Sequence, residues 1–335
     1  MHAMSNGKIY AAIRGAGHYA PERVLTNDDL AKVVETNDEW IRTRTGISQR
    51  RIARPDEYTS DMATAAARMA LADAGVAPDE VDLIVVATCT PDMIFPATAC
   101  LVQNALGCTH AYGFDLSSAC SGFLMALETA TGAIESGRVR TALVIGAEKL
   151  SSITDWTKRE TCVLFGDGAG AVVVQASERP GILSSQMGVD GALADMLSLP
   201  ASGCRHPASE QTLADRLHYV HMSGGKTFKS AVRVMADTAV QVVRDAGLTF
   251  DDIDLMVPHQ ANLRIIEAVA ARLEGDLLPK CFVNLDRFGN TSGASIPLAL
   301  SEAQTLGRIK PHDKVLMVAF GGGLSWGGIV VEWKP

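Results

Sequence analysis

Of the seven cysteines in this chain, Cys120 stands where a thiol could act as a nucleophile. It follows the β-patterned run Gly113–Leu116 and two serines, and it precedes a segment whose Phe123, Leu124, Leu127, Thr131 and Ile134 keep helical spacing. A thiol at such a strand-to-helix turn lies beside backbone N–H groups and the positive end of the helix dipole, which lower its pKa and favour thiolate. Gly122 leaves room for a ligand or another backbone to approach. His259 closes the run LMVP and opens ANLRIIEAVAARL, while Asn290 lies in the turn FGNTSGAS. Gly321, Gly322 and Gly323 follow the apolar run VLMVAF, so the Gly322 N–H could join the Cys120 N–H in an oxyanion hole.

Taken singly, each residue has a plainer reading. A cysteine is most often a small buried hydrophobe, a lone histidine is more often structural, an asparagine beside glycine is an ordinary turn residue, and a glycine triplet is a tight turn. Taken together they suit thioester chemistry. A thiolate attacks an acyl thioester, N–H groups stabilise the tetrahedral oxyanion, and a covalent acyl-enzyme divides one hard step into two. His and Asn, as neutral donors aimed at a second thioester carbonyl, would stabilise the enolate that decarboxylation of a malonyl unit generates. Phosphate cradling is disfavoured, because no G-x-x-x-x-G-K-[ST] string occurs.

The elements that must position these residues are written as an internal repeat. Asp73-Ala74-Gly75 followed by VAPDEVDLIVVA returns as Asp245-Ala246-Gly247 followed by LTFDDIDLMVPH, a shift of 172 residues (245 less 73). The second copy ends at His259, where the first has Ala87. FDLSSACSGFLMAL has a looser counterpart in VNLDRFGNTSGASIPLAL, with Ser121-Gly122 falling on Ser292-Gly293, and TALVIGAE matches KVLMVAFGG. Three matches in one order predict two related α/β halves, residues 1–179 carrying the cysteine and 180–335 carrying the histidine and asparagine. If an approximate two-fold axis relates them, the two turns converge and Cys120, His259 and Asn290 share one cleft, at the strand ends where α/β sheets gather ligands.

Short β-branched runs predict strands at Ile9–Ile13, Leu83–Ala87, Gly113–Leu116, Leu143–Ile145 and Ala171–Val174 in the first half. Gly181–Ser185, Leu255–Val257, Phe282–Leu285, Val315–Ala319 and Ile329–Glu332 are their counterparts in the second. Helical spacing predicts Ser60–Ala74, Gly122–Glu135, Lys226–Ala246 and Asn262–Leu273, with Pro200–Arg216 a surface loop or partial helix.

Bulk composition narrows the field. With 335 residues, 47% hydrophobic and only 5% aromatic, the chain has ample material for a core of small aliphatics. A formal charge of -8 argues against nucleic acid as a partner. An odd set of cysteines with no C-x-x-C pair fits neither a disulfide framework nor a zinc site, and points to a reducing cytoplasm. No apolar run reaches the roughly 18 residues of a membrane span, and no secretory signal is read. The opening MHAMSN reads as a tail or an alternative start.

Six blocks in order resemble the ketoacyl-acyl-carrier-protein synthase III family, the enzymes that initiate bacterial type II fatty acid synthesis. They are TNDEWIRTRTGI (36–47), SSACSGF (117–123), VLFGDGAGA (163–171), VPHQANLRII (257–266), FGNTSGAS (288–295) and FGGGLSWG (320–327). The resemblance implies the thiolase fold, two duplicated halves in a five-layer αβαβα sandwich, and a homodimer. It also implies that Cys120 takes an acyl group from acyl-CoA, that His259 and Asn290 bind the malonyl thioester oxygen, and that no metal or redox cofactor is needed. The products would be a 3-ketoacyl-carrier protein, CoA and carbon dioxide.

Coenzyme A binding is implied for Trp40, Arg44, Arg159, Phe228 and Asn262, and an acyl pocket for Leu150, Phe165 and a Phe95 reaching across the dimer. The acidic malonyl-acyl carrier protein would need a basic patch, for which Lys229, Arg264 and Arg272 are the candidates. Two features depart from the family pattern: Glu160 where glycine is common, and a long 200–216 loop. A same-fold enzyme of specialised metabolism, of polyketide or quinolone-like type, is the alternative. Thiolase itself is disfavoured because GGGLSWG offers no second cysteine, and a scaffold role is disfavoured by the intact Cys, His and Asn.

Overall fold

Runs of valine, isoleucine and alanine become the strands of two sheets in the computed structural model, which describes residues 8–335; the MHAMSN stretch lies outside the described residues. The first sheet holds β1 (Tyr10–Tyr19), β2 (Leu83–Ala87), β3 (Tyr112–Leu116), β4 (Thr141–Glu148) and β5 (Gly168–Ser177), in the order β1-β5-β4-β2-β3. The second holds β6 (Ile182–Val189), β7 (Leu255–Pro258), β8 (Lys314–Gly321) and β9 (Ser325–Glu332), in the order β6-β9-β8-β7. Strand directions repeat as well. β2 and β4 are parallel, as are β7 and β8, while β5 and β9 run antiparallel to both of their neighbours.

One predicted strand does not form. Phe282–Leu285, the counterpart of β3, is reduced to a single parallel bridge between Met256 and Cys281. Side chains hold this stretch instead: the Asn284 N–H donates to Gln260 Oε1 at 3.0 Å, and the Asn284 amide donates to Glu302 Oε2 at 2.9 Å.

The main helices are α1 (Asp38–Thr45), α2 (Thr59–Ala74), α3 (Thr98–Leu106), α4 (Gly122–Glu135), α5 (Gly224–Asp245), α6 (Leu263–Ala270) and α7 (Ser295–Thr305). Because alternate strand residues face opposite ways, each sheet has two apolar faces to cover. Val85, Val144 and Val172 of the first sheet and Val257, Met317 and Ile329 of the second pack on Phe123, Leu127 and Ile134 of α4 and Ile296 and Leu300 of α7. These two helices are the middle layer. On the outside, Met62, Ala66 and Ala70 of α2 cover Ile84, Val86 and Val173, while Met235, Ala239 and Val242 of α5 cover Leu316 and Val330. The result is the thiolase-type αβαβα sandwich.

The halves meet at backbone distance. A Cβ placed on Gly146 of β4 would lie 2.2 Å from the Gly293 carbonyl oxygen, so only glycine lets the second half's turn lie on the first half's sheet. Within the turns, the match read from sequence is displaced by two residues. Ala119 (φ +46°) and Ser292 (φ +49°) are the equivalent left-handed residues, each opening a 3₁₀ turn that runs into α4 or α7. Cys120 therefore corresponds in space to Gly293. The 200–216 loop contains one short helix, Glu210–Ala214, and its Arg216 is clamped on the buried Asp155 carboxylate through Nε at 2.9 Å and Nη2 at 2.6 Å.

Candidate active site

Cys120 lies in the 3₁₀ turn Ala119–Ser121 after β3, 8% exposed. Left-handed backbone at a non-glycine residue such as Ala119 stores strain that the surroundings must hold. They do so with hydroxyls: Ser121 Oγ donates to the Ser118 carbonyl at 2.9 Å and meets Ser325 Oγ at 2.7 Å, and Ser325 Oγ bonds the Gly322 carbonyl at 2.9 Å. The Cys120 turn is thus tied to the glycine loop of the other half. A Cβ at Gly321 would come within 2.7 Å of the Cys120 nitrogen, so the loop passes this close only as glycine. Gly122 leaves its space to the Ala87 methyl group, 3.2 Å from its would-be Cβ, rather than to a ligand.

The expected low thiol pKa does not hold. Burial pushes the Cys120 thiol up to about 12, and the charge of Glu148 pushes the same way. The helix dipole is outweighed because α4 begins only at Gly122, beyond the turn that carries the sulfur.

His259 follows β7, its N–H donating to the Val318 carbonyl at 2.8 Å. Burial pushes its pKa down to about 3, so the ring is neutral at physiological pH. Its Nδ1 is 2.7 Å from Ser295 Oγ, which already accepts the Gln260 N–H at 3.4 Å. When the Ser295 hydroxyl donates to Nδ1, Nε2 is the protonated, donating nitrogen. Asn290 is fixed comparably. Its Oδ1 accepts the Ser292 N–H at 2.8 Å, so the group it presents is the NH₂ donor. Its backbone pairs with Leu164 and Gly166 of the first half.

Cys120, His259, Asn290 and Gly322 line one cavity of about 670 Å³. Leu150 and Phe165 line its buried apolar wall, where Val220 joins them. Trp40, Arg44, Phe228, Asn262 and Arg264 line it as well. Trp40 carries the Arg159 guanidinium 4.6 Å from its ring centre and that of Arg44 at 5.9 Å, although Arg159 itself does not reach the cavity. Asn262 caps α6, accepting the Arg264 N–H at 2.9 Å and donating to the Arg44 carbonyl at 3.0 Å. Glu160 also lines the cavity.

Phe95 does not line this chain's cavity: it is 82% exposed, beside Ile94 at 81%. Lys229 and Arg272 share a separate surface depression with Arg233, a cation the sequence reading passed over, while Arg264 belongs to the main cavity. Among the described residues, no group of three or more His, Cys, Asp or Glu side chains is placed to hold a metal ion, and no helix is long and apolar enough to cross a membrane.

Residues 114–191 match the family model described as 3-oxoacyl-[acyl-carrier-protein (ACP)] synthase III, and residues 243–333 match the model of its C-terminal part. The beta-ketoacyl-[acyl-carrier-protein] synthase III of Symbiobacterium thermophilum is 57% identical over 322 residues, 96% of this chain and 97% of that one. The chain belongs to the 3-oxoacyl-[acyl-carrier-protein] synthase III family. Its solved relatives include the synthase III of Aquifex aeolicus, 48% identical with a TM-score of 0.89 over 96% of this chain and 100% of that one. The priming beta-ketosynthase of the R1128 polyketide pathway is 38% identical, with a TM-score of 0.91 over 99% and 98% of the two chains. As a synthase III, the chain is an acyltransferase, an initiating condensing enzyme of type II fatty acid synthesis.

The synthase III cavity contains residues that the sequence reading left unnamed. Ser292 and Ser295 orient Asn290 and His259 from inside the FGNTSGAS block, and Gln260 bonds the Pro258 and Phe282 carbonyls at 2.8 and 3.0 Å beneath His259. Glu148, fully buried at the end of β4, is the least anticipated.

Proposed function

We propose that Cys120 accepts the acyl group of an acyl-CoA, and that His259 and Asn290 then hold the thioester oxygen of malonyl-acyl carrier protein while it loses carbon dioxide. The carbanion attacks the acyl-enzyme, giving a 3-ketoacyl-carrier protein. The observation that carries this is the convergence of Cys120 with two neutral donors in one cavity, each donor fixed by a serine. Neutral donors suit the second half-reaction, because an enolate oxygen asks for hydrogen bonds rather than a proton. The Cys120 and Gly322 N–H groups serve the first. No metal or redox cofactor enters either step, since decarboxylation itself supplies the carbanion.

Coenzyme A lies along the Trp40, Arg44 and Arg159 end of the cavity, with Phe228 and Asn262 flanking its arm. The carrier protein docks on Lys229, Arg233, Arg264 and Arg272. The exposed Met93, Ile94 and Phe95 support a homodimer in which Phe95 closes the partner's acyl pocket. The reading is tested by incubating the protein with a panel of acyl-CoAs in competition and weighing the Cys120 peptide. One starter should dominate the acylated peptide. An unmodified Cys120 across the panel would overturn the proposal, and a dominant starter alien to primary fatty acid synthesis would favour a specialised pathway.

Glu160 places an exposed negative charge at the proposed phosphate-binding end. Glu160→Gln is expected to lower KM for acyl-CoA about two- to five-fold with kcat unchanged, the size of a single surface charge effect. The gain should fade as salt is raised in steady-state assays.

A further inference from the structure

Arg50 is a buried charge without a counter-charge. It is 0% exposed, in the short antiparallel pair Arg23–Thr26 and Gln49–Ile52, and among the described residues it forms no ion pair with a carboxylate. Its guanidinium bonds neutral oxygens instead. Nη1 donates to the Leu25 carbonyl at 3.2 Å and to Asn27 Oδ1 at 2.9 Å, and Nη2 donates to the Val163 carbonyl at 2.8 Å, while Nε has no partner among the described residues. Burial pulls the group down to about 10, which leaves it charged at neutral pH. A cation taken out of water with no anion beside it is a costly way to gain stability. What it does gain is span, because the two arms of one rigid fork join segments far apart in sequence.

Each segment leads to the cavity. On the Nη1 side, the Asn27 amide donates to Asp38 Oδ1 and to the Ile47 carbonyl, both at 2.8 Å, and so brackets α1, the helix of Trp40 and Arg44. On the Nη2 side, Val163 runs into Leu164, Phe165 and Gly166, and this stretch holds the Asn290 backbone from both directions. The Asn290 N–H donates to the Leu164 carbonyl at 2.8 Å, and the Gly166 N–H donates to the Asn290 carbonyl at 3.0 Å. The Arg50 stem fills the same corner. A Cβ built on Gly166 would lie 3.1 Å from the Arg50 Cβ, and one built on Gly289, the residue before Asn290, would lie 3.0 Å from it.

We propose that Arg50 is a positioning residue for the second half-reaction, fixing the Asn290 backbone so that its amide meets the thioester oxygen while the malonyl unit loses carbon dioxide. This rests on the reading of Asn290 as an oxyanion donor. Ser292 sets which way the Asn290 amide faces, and Arg50 sets where it stands. A donor displaced by about 1 Å loses much of its effect on a developing charge. The Cys120 turn is held otherwise, by the Ser121 and Ser325 hydroxyls, and neither of these bonds Arg50 or the 163–166 stretch. Loss of the guanidinium should therefore separate the two half-reactions, which a general weakening of the fold would not do.

The test measures each half-reaction in Arg50→Met, which keeps the stem and removes the fork, and in Arg50→Lys, whose ammonium can reach one segment but not bridge both. Acetyl-CoA is the donor, since two carbons ask least of the Phe165 wall. Acetylation of Cys120, followed by rapid quench and peptide mass, should stay within about threefold of wild type in both variants, while condensation with malonyl-acyl carrier protein should fall about 10- to 100-fold in kcat in Arg50→Met, the cost of a misplaced group. Arg50→Lys should fall between Arg50→Met and wild type. The Arg50→Met/Asn290→Ala pair should be no slower than Asn290→Ala alone, because the guanidinium acts through that amide. Condensation in Arg50→Met within about threefold of wild type, an equal fall in both half-reactions, or full additivity in the pair would overturn the proposal. Should a thermal melt show Arg50→Met unfolded, the same comparison of half-reactions in Arg50→Lys decides, and undiminished condensation there counts against it. Wild-type condensation by Asn290→Ala would overturn the donor reading itself and the proposal with it, a distinguishable result.

Discussion

Cys120→Ala is expected to leave a folded protein that forms no acyl-enzyme and no 3-ketoacyl product, a loss of at least about 10⁴-fold in condensation. The size follows from the site. Without the sulfur there is no covalent intermediate, and no second nucleophile is placed to substitute. Cys89 lines the same cavity, but its thiol is turned to Ser117 Oγ at 3.6 Å. Folding should survive because the removed atom is small and the hydroxyls of Ser121 and Ser325, not the thiol, hold the turn. The measurements are a thermal melt, intact mass after incubation with acyl-CoA, and product formation. Condensation within tenfold of wild type would show that another group carries the acyl chain.

The second large effect is expected at the donors. His259→Ala and Asn290→Ala should each lower condensation about 10²- to 10³-fold, the range for removing one preorganised donor from a developing oxyanion. Acylation of Cys120 should continue in both, because the first step uses backbone N–H groups. Acyl-enzyme should therefore accumulate, visible as a persistent mass shift on the Cys120 peptide. The double variant should lose less than the product of the two, since both donors serve one oxygen. A variant that fails to acylate would place its residue in the first step instead.

Much of this site was legible in the sequence because the repeat acts as an internal control. His259 stands against Ala87, and the Asn290 turn stands against the Cys120 turn, so the differences between copies pointed to chemistry. The same comparison sets Glu148 against Gly321, a carboxylate facing a glycine at one strand end. Neither strand pattern nor motif says that the end of β4 is fully buried, and burial is what makes this carboxylate unusual. The thiol pKa was misread for a related reason. A helix start is visible in sequence, but desolvation is a property of the packed site. The missing strand at 282–285 shows a similar limit: Val283 and Phe282 have strand propensity, but the Gln260 side chain takes the Asn284 N–H and ends the ladder.

The contact between Gly146 and the Gly293 carbonyl bears on how substrates arrive and leave. Many enzymes with duplicated lobes bind in a cleft that opens and shuts about a hinge. Here α4 and α7, one from each half, pack together at the middle of the molecule and the lobes touch backbone to backbone beside Cys120, contacts that oppose a swing of one lobe on the other. Traffic then passes through the mouth of the cavity that Cys120, His259 and Asn290 line. The length of acyl chain admitted is then a matter of wall-lining side chains, and exchange of a single wall residue, rather than altered lobe motion, is the route by which this scaffold would acquire a new starter.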